Sequence, residues 1–128
     1  MVEPRINTAW ALQMKATTME DPARLVHTLT GAILGNGGWV LSRGANDAGV
    51  VDMLFEFERQ HCVDIYSVLI AAGLELSQHA HMRFTELCQC TSSHFQDCFG
   101  QIVSVDLEIH SFWLQVAPDG RGFGAEAV

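Results

Sequence analysis

Residues 101–112 give the cleanest alternation in the chain. Val103, Val105, Leu107 and Ile109 fall on one parity, and Ser104, Asp106, Glu108 and His110 on the other. A period of two is the mark of a strand with one buried and one solvated face. Two further stretches share the pattern. Trp10, Leu12 and Met14 alternate with Ala11, Gln13 and Lys15 in a strand over Thr8–Met19. Met53, Phe55 and Phe57 alternate with Asp52, Leu54, Glu56 and Glu58 in a strand over Val50–Glu58. A chain with this much half-buried strand must build a sheet with one dry face.

The intervening segments supply the cover. Asp21-Pro22 is a helix start, with a capping side chain followed by a proline suited to the first turn. Val26, Leu29, Thr30 and Ile33 then recur at helical spacing, and Asn36-Gly37-Gly38 ends the helix. Trp39–Ser42 reads as a short strand, joined to the Val50–Glu58 strand through the turn-rich loop 43–49 as a hairpin. Arg59–Ala72 reads as a second helix with Cys62, Ile65, Tyr66, Leu69 and Ile70 on its apolar stripe and Gly73 as terminator. His81–Cys90 reads as a fourth strand, with Met82, Phe84, Cys88 and Cys90 on one side. That parity also buries Glu86, which is costly for a carboxylate without a partner. Residues 1–7 form a loose leader, 8–112 a single domain, and 113–128 a glycine-rich tail without periodicity.

The element order β-α-β-β-α-β plus one strand is that of a ferredoxin-like α+β sandwich. It predicts an antiparallel sheet in the order 4-1-3-2, with the additional strand beyond strand four and both helices on one face. Trp10, Phe55, Phe57 and Phe84 then cannot all point at the helices. The second sheet face should therefore be apolar, which predicts a homodimer.

Within this class the chain resembles an ACT domain over Met14–Cys90. The likeness lies in Met19-Glu20-Asp21-Pro22 opening the first helix, in Leu29–Leu41 (helix, Asn-Gly-Gly, strand) and in Leu69–Leu76 closing the second helix. The resemblance implies a regulatory module that senses an amino acid or similar metabolite at a dimer interface. It places the ligand by Glu20, Asp21, Ala23 and Arg24 and by the Asn36-Gly37-Gly38 turn. There a carboxylate or amine meets the helix N-terminus. Arg43 at the hairpin mouth suits a carboxylate. The family's loop commonly reads Asp-x-Pro-Gly; here Asp21 and Pro22 are adjacent, and Ala23 stands at the glycine. The same element order is found in dimeric α+β barrel enzymes, which enclose a cavity between facing sheets. Trp10, Phe55, Phe57, Phe84 and His110 would line it here. A third reading is a module that only binds another protein chain.

Charge excludes some partners. With 7 basic and 15 acidic side chains the chain carries −8, which opposes nucleic acid and anionic lipid alike. No apolar run approaches the roughly 20 residues of a spanning helix, and residues 1–7 lack a signal pattern, which points to the cytoplasm. Cys62, Cys88, Cys90 and Cys98 are then expected reduced. Cys62, Cys88 and Cys90 read as core filling. Cys98, near His94, reads as the exposed thiol. Asp106, Glu108 and His110 share a strand face about 6–7 Å apart and are metal-ligand types. A solvated strand face is the simpler reading, and no cofactor is expected. His79-x-His81 and Cys88-x-Cys90 lack the spacing of a structural zinc site. Gly35–Gly38 runs from helix to strand, the reverse of a phosphate loop.

Overall fold

A computed structural model describes residues 8–93 and 100–116. The fold is α+β, a five-stranded mixed open sheet with its helices on one face. In chain order the elements are β1 (Thr8–Thr18), α1 (Pro22–Gly35), β2 (Gly38–Ala45) and β3 (Val50–Glu58). A 3-10 turn (Arg59–His61) follows, then α2 (Cys62–Ala71), β4 (Glu75–Leu76), α3 (Gln78–Ser93), β5 (Ile102–Ser111) and the short α4 (Trp113–Val116). Strand boundaries and parity match the alternation closely, because burial on one face fixes both.

The sheet order is β2-β3-β5-β1-β4. β5 does not sit at an edge. It lies between β3, to which it is antiparallel, and β1, to which it is parallel. The expected all-antiparallel sheet with an outlying extra strand is therefore replaced by a mixed one with that strand at its centre. Strand three of the ferredoxin-like order would lie beside strand one; here β5 separates them.

The second departure is α3, which occupies the stretch 81–90 read as a strand. Ala80, Phe84, Leu87 and Thr91 are its buried residues, spaced four, three and four apart, as a helix requires. The period of two through Met82, Phe84, Cys88 and Cys90 is coincidental, since Met82 is 60% exposed. Glu86 is exposed and receives a 3.1 Å hydrogen bond from Arg83 Nη1 one turn earlier, so no buried carboxylate has to be explained.

The core lies between the sheet and α1, α2 and α3. Leu12, Met14, Met53, Phe55, Phe57, Val105 and Leu107 of the sheet meet Leu25, Leu29 and Ile33 of α1, Ile65 and Leu69 of α2, and Phe84 and Leu87 of α3. The Phe57 and Phe84 rings stack with centroids 6.0 Å apart, and Phe55 follows Phe57 at 6.3 Å. All three rings are fully buried on the helix side, with Trp10 partly buried against the same core. The apolar second face expected from these aromatics is therefore absent. The face away from the helices is largely polar instead. Lys15, Glu108 and Asp52 lie in one row across β1, β5 and β3, and Gln13, Asp106 and Leu54 in the next, with Trp39 of β2 opposite Glu56. The concavity of about 620 Å³ on this face is lined by Gln13, Lys15, Asp52, Asp106 and Glu108 with Ser77 and His79. Among the described residues no helix is long and apolar enough to cross a membrane.

Two glycines of α1 and its exit make contrasting demands. Gly37 has φ +93°, and a Cβ there would meet the His61 ring. Gly31, inside α1, has open space around it. Gly37→Ala is expected to lower stability by more than the about 1–2 kcal/mol of a left-handed residue alone. Gly31→Ala should raise it by about 0.5–1 kcal/mol. Paired thermal melts of the two variants check both signs.

Candidate functional site

Three segments converge at the start of α1. Asp21, Pro22 and Ala23 open the helix, Asn46–Gly49 form the β2–β3 turn, and Ser111–Gln115 carry β5 into α4. Together they border a concavity of about 400 Å³. Each wall has a local cause. In the turn, Asn46 Oδ1 accepts from the Ala48 and Val50 N–H groups at 2.9 and 3.0 Å, an Asx arrangement that mimics a backbone turn. Gly49 closes it at φ +85°. Ser111 ties all three segments together. Its N–H donates to Gly49 O at 2.8 Å, and its Oγ donates to Glu20 O at 2.6 Å. The same Oγ accepts from Trp113 N–H at 3.1 Å. Asp21, at the N-cap position, makes no side-chain capping bond. Pro22 has no N–H and Leu25 N–H donates to Asp21 O, so the first turn of this 14-residue helix keeps the Ala23 and Arg24 N–H groups uncapped by any described side chain, and its positive dipole end. Phe112, Trp113 and Leu114 form the opposite wall; Leu114 is 66% exposed. The concavity thus offers donors and a positive dipole end, two carboxylates (Asp21 and Asp47) and an apolar wall.

The residues predicted as a ligand site are divided by the fold. Asp21 and Ala23 border the concavity just described. Glu20 and Arg24 border a second one of about 360 Å³, shared with Thr28 and the end of α2 at Ala71–Gly73. Asn36, Gly37 and Gly38 belong to neither. They lie at the far end of α1, because the helix carries the chain its full length from Pro22 to Gly35 before turning; the expected neighbourhood of the two loops does not form. Asn36 is occupied in ending α1, donating Nδ2 to Ala32 O at 2.8 Å. Arg43 points to α1 and donates to Thr30 Oγ1 at 3.3 Å, an exposed contact, and does not guard the hairpin mouth. Asp106 and Glu108 line the concavity on the open sheet face. His110 instead bonds Glu108 at 2.7 Å. Among the described residues no three His, Cys, Asp or Glu side chains gather as a metal site. Cys98 and His94 lie outside the described residues, as do 1–7 and 117–128.

One constellation was missed. Reading 81–90 as a strand put Cys88 beside Cys90. On α3, Cys88 instead faces Cys62 at the first position of α2, and the two sulfurs share a hydrogen bond. That bond and others from Thr91 and the Val63 N–H push the Cys62 thiol down to about 6 against its desolvation, helped by the Arg59 charge. The same bond, together with burial, pushes Cys88 up. Arg59 is 6% exposed. Its Nε donates to Thr91 Oγ1 at 2.9 Å, its Nη1 to Gln101 Oε1 at 2.8 Å, and its guanidinium lies 5.2 Å from the Trp10 ring centroid. The sequence signal for this cluster was Cys62 at a helix start three residues after an arginine.

The chain matches no protein-family model, no curated protein and no solved structure.

Ser111 holds the walls of the α1 concavity in place, so Ser111→Ala should cost about 1 kcal/mol. The loss should appear as a lower denaturation midpoint at unchanged slope, with amide shifts confined to Glu20–Ala23, Gly49 and Trp113.

Proposed function

We propose that the chain is a small-molecule-binding module that takes an amino acid, or a metabolite of similar amphipathic build, in the concavity at the start of α1. The observation that carries this reading is the uncapped first turn of α1 set opposite an apolar wall. A ligand carboxylate meets the free donors and the dipole end. An ammonium meets Asp21 or Asp47. An aliphatic or aromatic side chain covers Phe112, Trp113 and Leu114. A pocket of a few hundred Å³ with few polar groups and an apolar wall suits a ligand of this size.

The reading keeps the place that the ACT resemblance gives to an effector, near Asp21-Pro22-Ala23, and it shares with that resemblance a regulatory role without catalysis. A cytoplasmic setting fits it, with thiols reduced at rest. Self-association, where it occurs, has its physical basis in the outer edge of β2, which no strand covers. The bulge between Val40 and Ser42 works against such pairing. A cavity between two facing sheets has less support, because the open sheet face carries several carboxylates, and the Phe55, Phe57 and Phe84 rings expected to line it are buried under the helices.

A panel of the twenty L-amino acids tests the reading. At least one member should raise the melting temperature in a concentration-dependent way. Binding at 100 times Kd corresponds to about 2.7 kcal/mol. It should also move the amide resonances of Asp21–Ala23 and Asn46–Gly49. Ala23→Phe fills the concavity and should abolish both effects while leaving the circular dichroism spectrum unchanged. Absence of any saturable response in these amides across the panel would falsify the assignment.

A further inference from the structure

The sheet ends at β2, and no described strand pairs with its outer edge. An open edge presents a row of backbone N–H and C=O groups to an extended chain that reaches it. Leu41 is the extra residue of a bulge, after which Ser42–Ala45 run in unbroken register with Val51–Leu54. The bulge turns away a long flat strand but leaves Ser42–Ala45 open to a short one. Beside this edge α1 and β2 border a concavity of about 400 Å³, with Val26, Gly31 and Leu34 on its apolar side and His27, Thr30 and Arg43 on its polar side. Gly31 keeps the floor open, since nothing lies within 4 Å of where a Cβ would stand. Leu34 is 58% exposed and Leu41 52%. Arg43 has the parity of the buried Met53 and so stands on the helix side, where its Nη1 donates to Thr30 Oγ1 at 3.3 Å. Charge sets this surface apart. Residues 22–45 hold Arg24, His27 and Arg43 and no Asp or Glu, in a chain with 15 acidic side chains.

We propose that the outer edge of β2 is a docking site for an extended acidic peptide of a partner protein, which adds a strand at Ser42–Ala45 and lays its inward side chains in the α1 groove. Backbone hydrogen bonds supply the pairing, and alternate side chains supply the selectivity. On the inward parity an aliphatic side chain covers Gly31 and Leu34. A carboxylate two residues along meets Arg43, whose planar fork suits a carboxylate, with His27 on the same wall. On the outward parity the peptide runs beside Ser42 and Gly44, and Asp52 lies opposite Gly44, so that side repels a second acid. The acidic side chain is therefore selected on one parity alone. A second copy of the chain fits less well. Antiparallel self-pairing beyond the bulge, with both helix layers on one face, sets the two Arg43 side chains opposite or diagonal to each other as a like-charge pair. Neither α1 nor β2 has a carboxylate to separate them.

The test pans the full chain against a phage-displayed library of random eight-residue peptides, the length of β2, and follows with synthetic copies of the enriched sequences. The enriched peptides should carry Asp or Glu two positions from Val, Ile or Leu. Their binding should shift the amide resonances of Ser42–Ala45 and the methyl resonances of Val26 and Leu34. Arg43→Glu should weaken the affinity by at least about tenfold, and a lysine in place of the peptide acid should restore binding to that variant. Gly31→Leu fills the floor of the groove and should weaken binding to wild-type peptides while leaving the circular dichroism spectrum unchanged. The proposal is overturned if no sequence is enriched, if the enriched peptides lack a carboxylate or shift resonances elsewhere, or if their affinity survives either substitution. Slow hydrogen exchange in the free chain at the Ser42–Ala45 amides that point away from β3 also overturns it. Protection that grows with protein concentration would give the edge to a second copy, and protection that persists on dilution would give it to the chain's own residues. None of these readouts involves an amino-acid ligand, so they stand apart from the reading at the start of α1.

Discussion

The placement of β5 between β3 and β1 is the constraint on which the rest of the structure depends. Before it docks, the chain holds two separate pieces of sheet, the β2–β3 hairpin and β1 with its two-residue partner β4. β5 joins them by pairing along nearly its whole length with both neighbours. Its inward residues Val103, Val105, Leu107 and Ile109 are fully buried. Burying such a side chain is worth about 1.5–3 kcal/mol each relative to exposure. The strand that completes the sheet is also the last long element among the described residues, and its partners β1 and β3 lie far back in the sequence, so the decisive contacts are non-local. Topologies of that kind fold slowly, because loop-closure entropy is met before the pairing repays it.

The same strand organises both candidate sites, one at each end. At its start, Gln101 accepts from Arg59 twice, through its carbonyl at 2.7 Å and its side chain at 2.8 Å. At its finish, Ser111 gathers the α1 entrance, the hairpin turn and α4. A strand held on both sides is a rigid spacer, so the thiol cluster and the α1 concavity keep fixed positions relative to the core while their outer walls are turns and helix ends. Rigid elements with functional groups at their termini are the common way that folds position sites.

Parity was legible in the sequence and strand neighbours were not. Alternation at Trp10–Met14, Met53–Phe57 and Val103–Ile109 gave the buried face of each strand, since side chains on a pleated strand leave no other choice. Nothing in that pattern says which strand lies beside which. Order depends on connections that a single chain does not display, and so the central position of β5 could not be read. The error at α3 had a visible warning. A strand over 81–90 buried Glu86, whereas a helix buries Ala80, Phe84 and Leu87 and frees Glu86 to meet Arg83. An unpaired carboxylate on an assigned core face is a reason to try the other period. The same change of period removes the expected apolar second face. With 81–90 helical, Phe84 packs under the helices with Phe55 and Phe57.

Arg59 brings these threads to one point. A guanidinium at 6% exposure is tolerated only where its donors and its charge are both met. Thr91 and Gln101 accept from Nε and Nη1, and the guanidinium lies against the face of Trp10. A second guanidinium, Arg83, lies 5.3 Å from the same ring, but it has Glu86 as its counter-charge. Arg59 has no carboxylate among its described partners, and its charge helps to hold the Cys62 thiol down. Stability and thiol chemistry are therefore linked. Cys62 is depressed to about 6, below the roughly 8.5 of a free thiol, so between those values the unfolded chain holds a proton that the folded chain has lost. Stability from this group accordingly rises with pH across that window and is lost as pH falls through 6. Cys88 is shifted the opposite way, so at higher pH it keeps a proton that the unfolded chain releases and removes stability there.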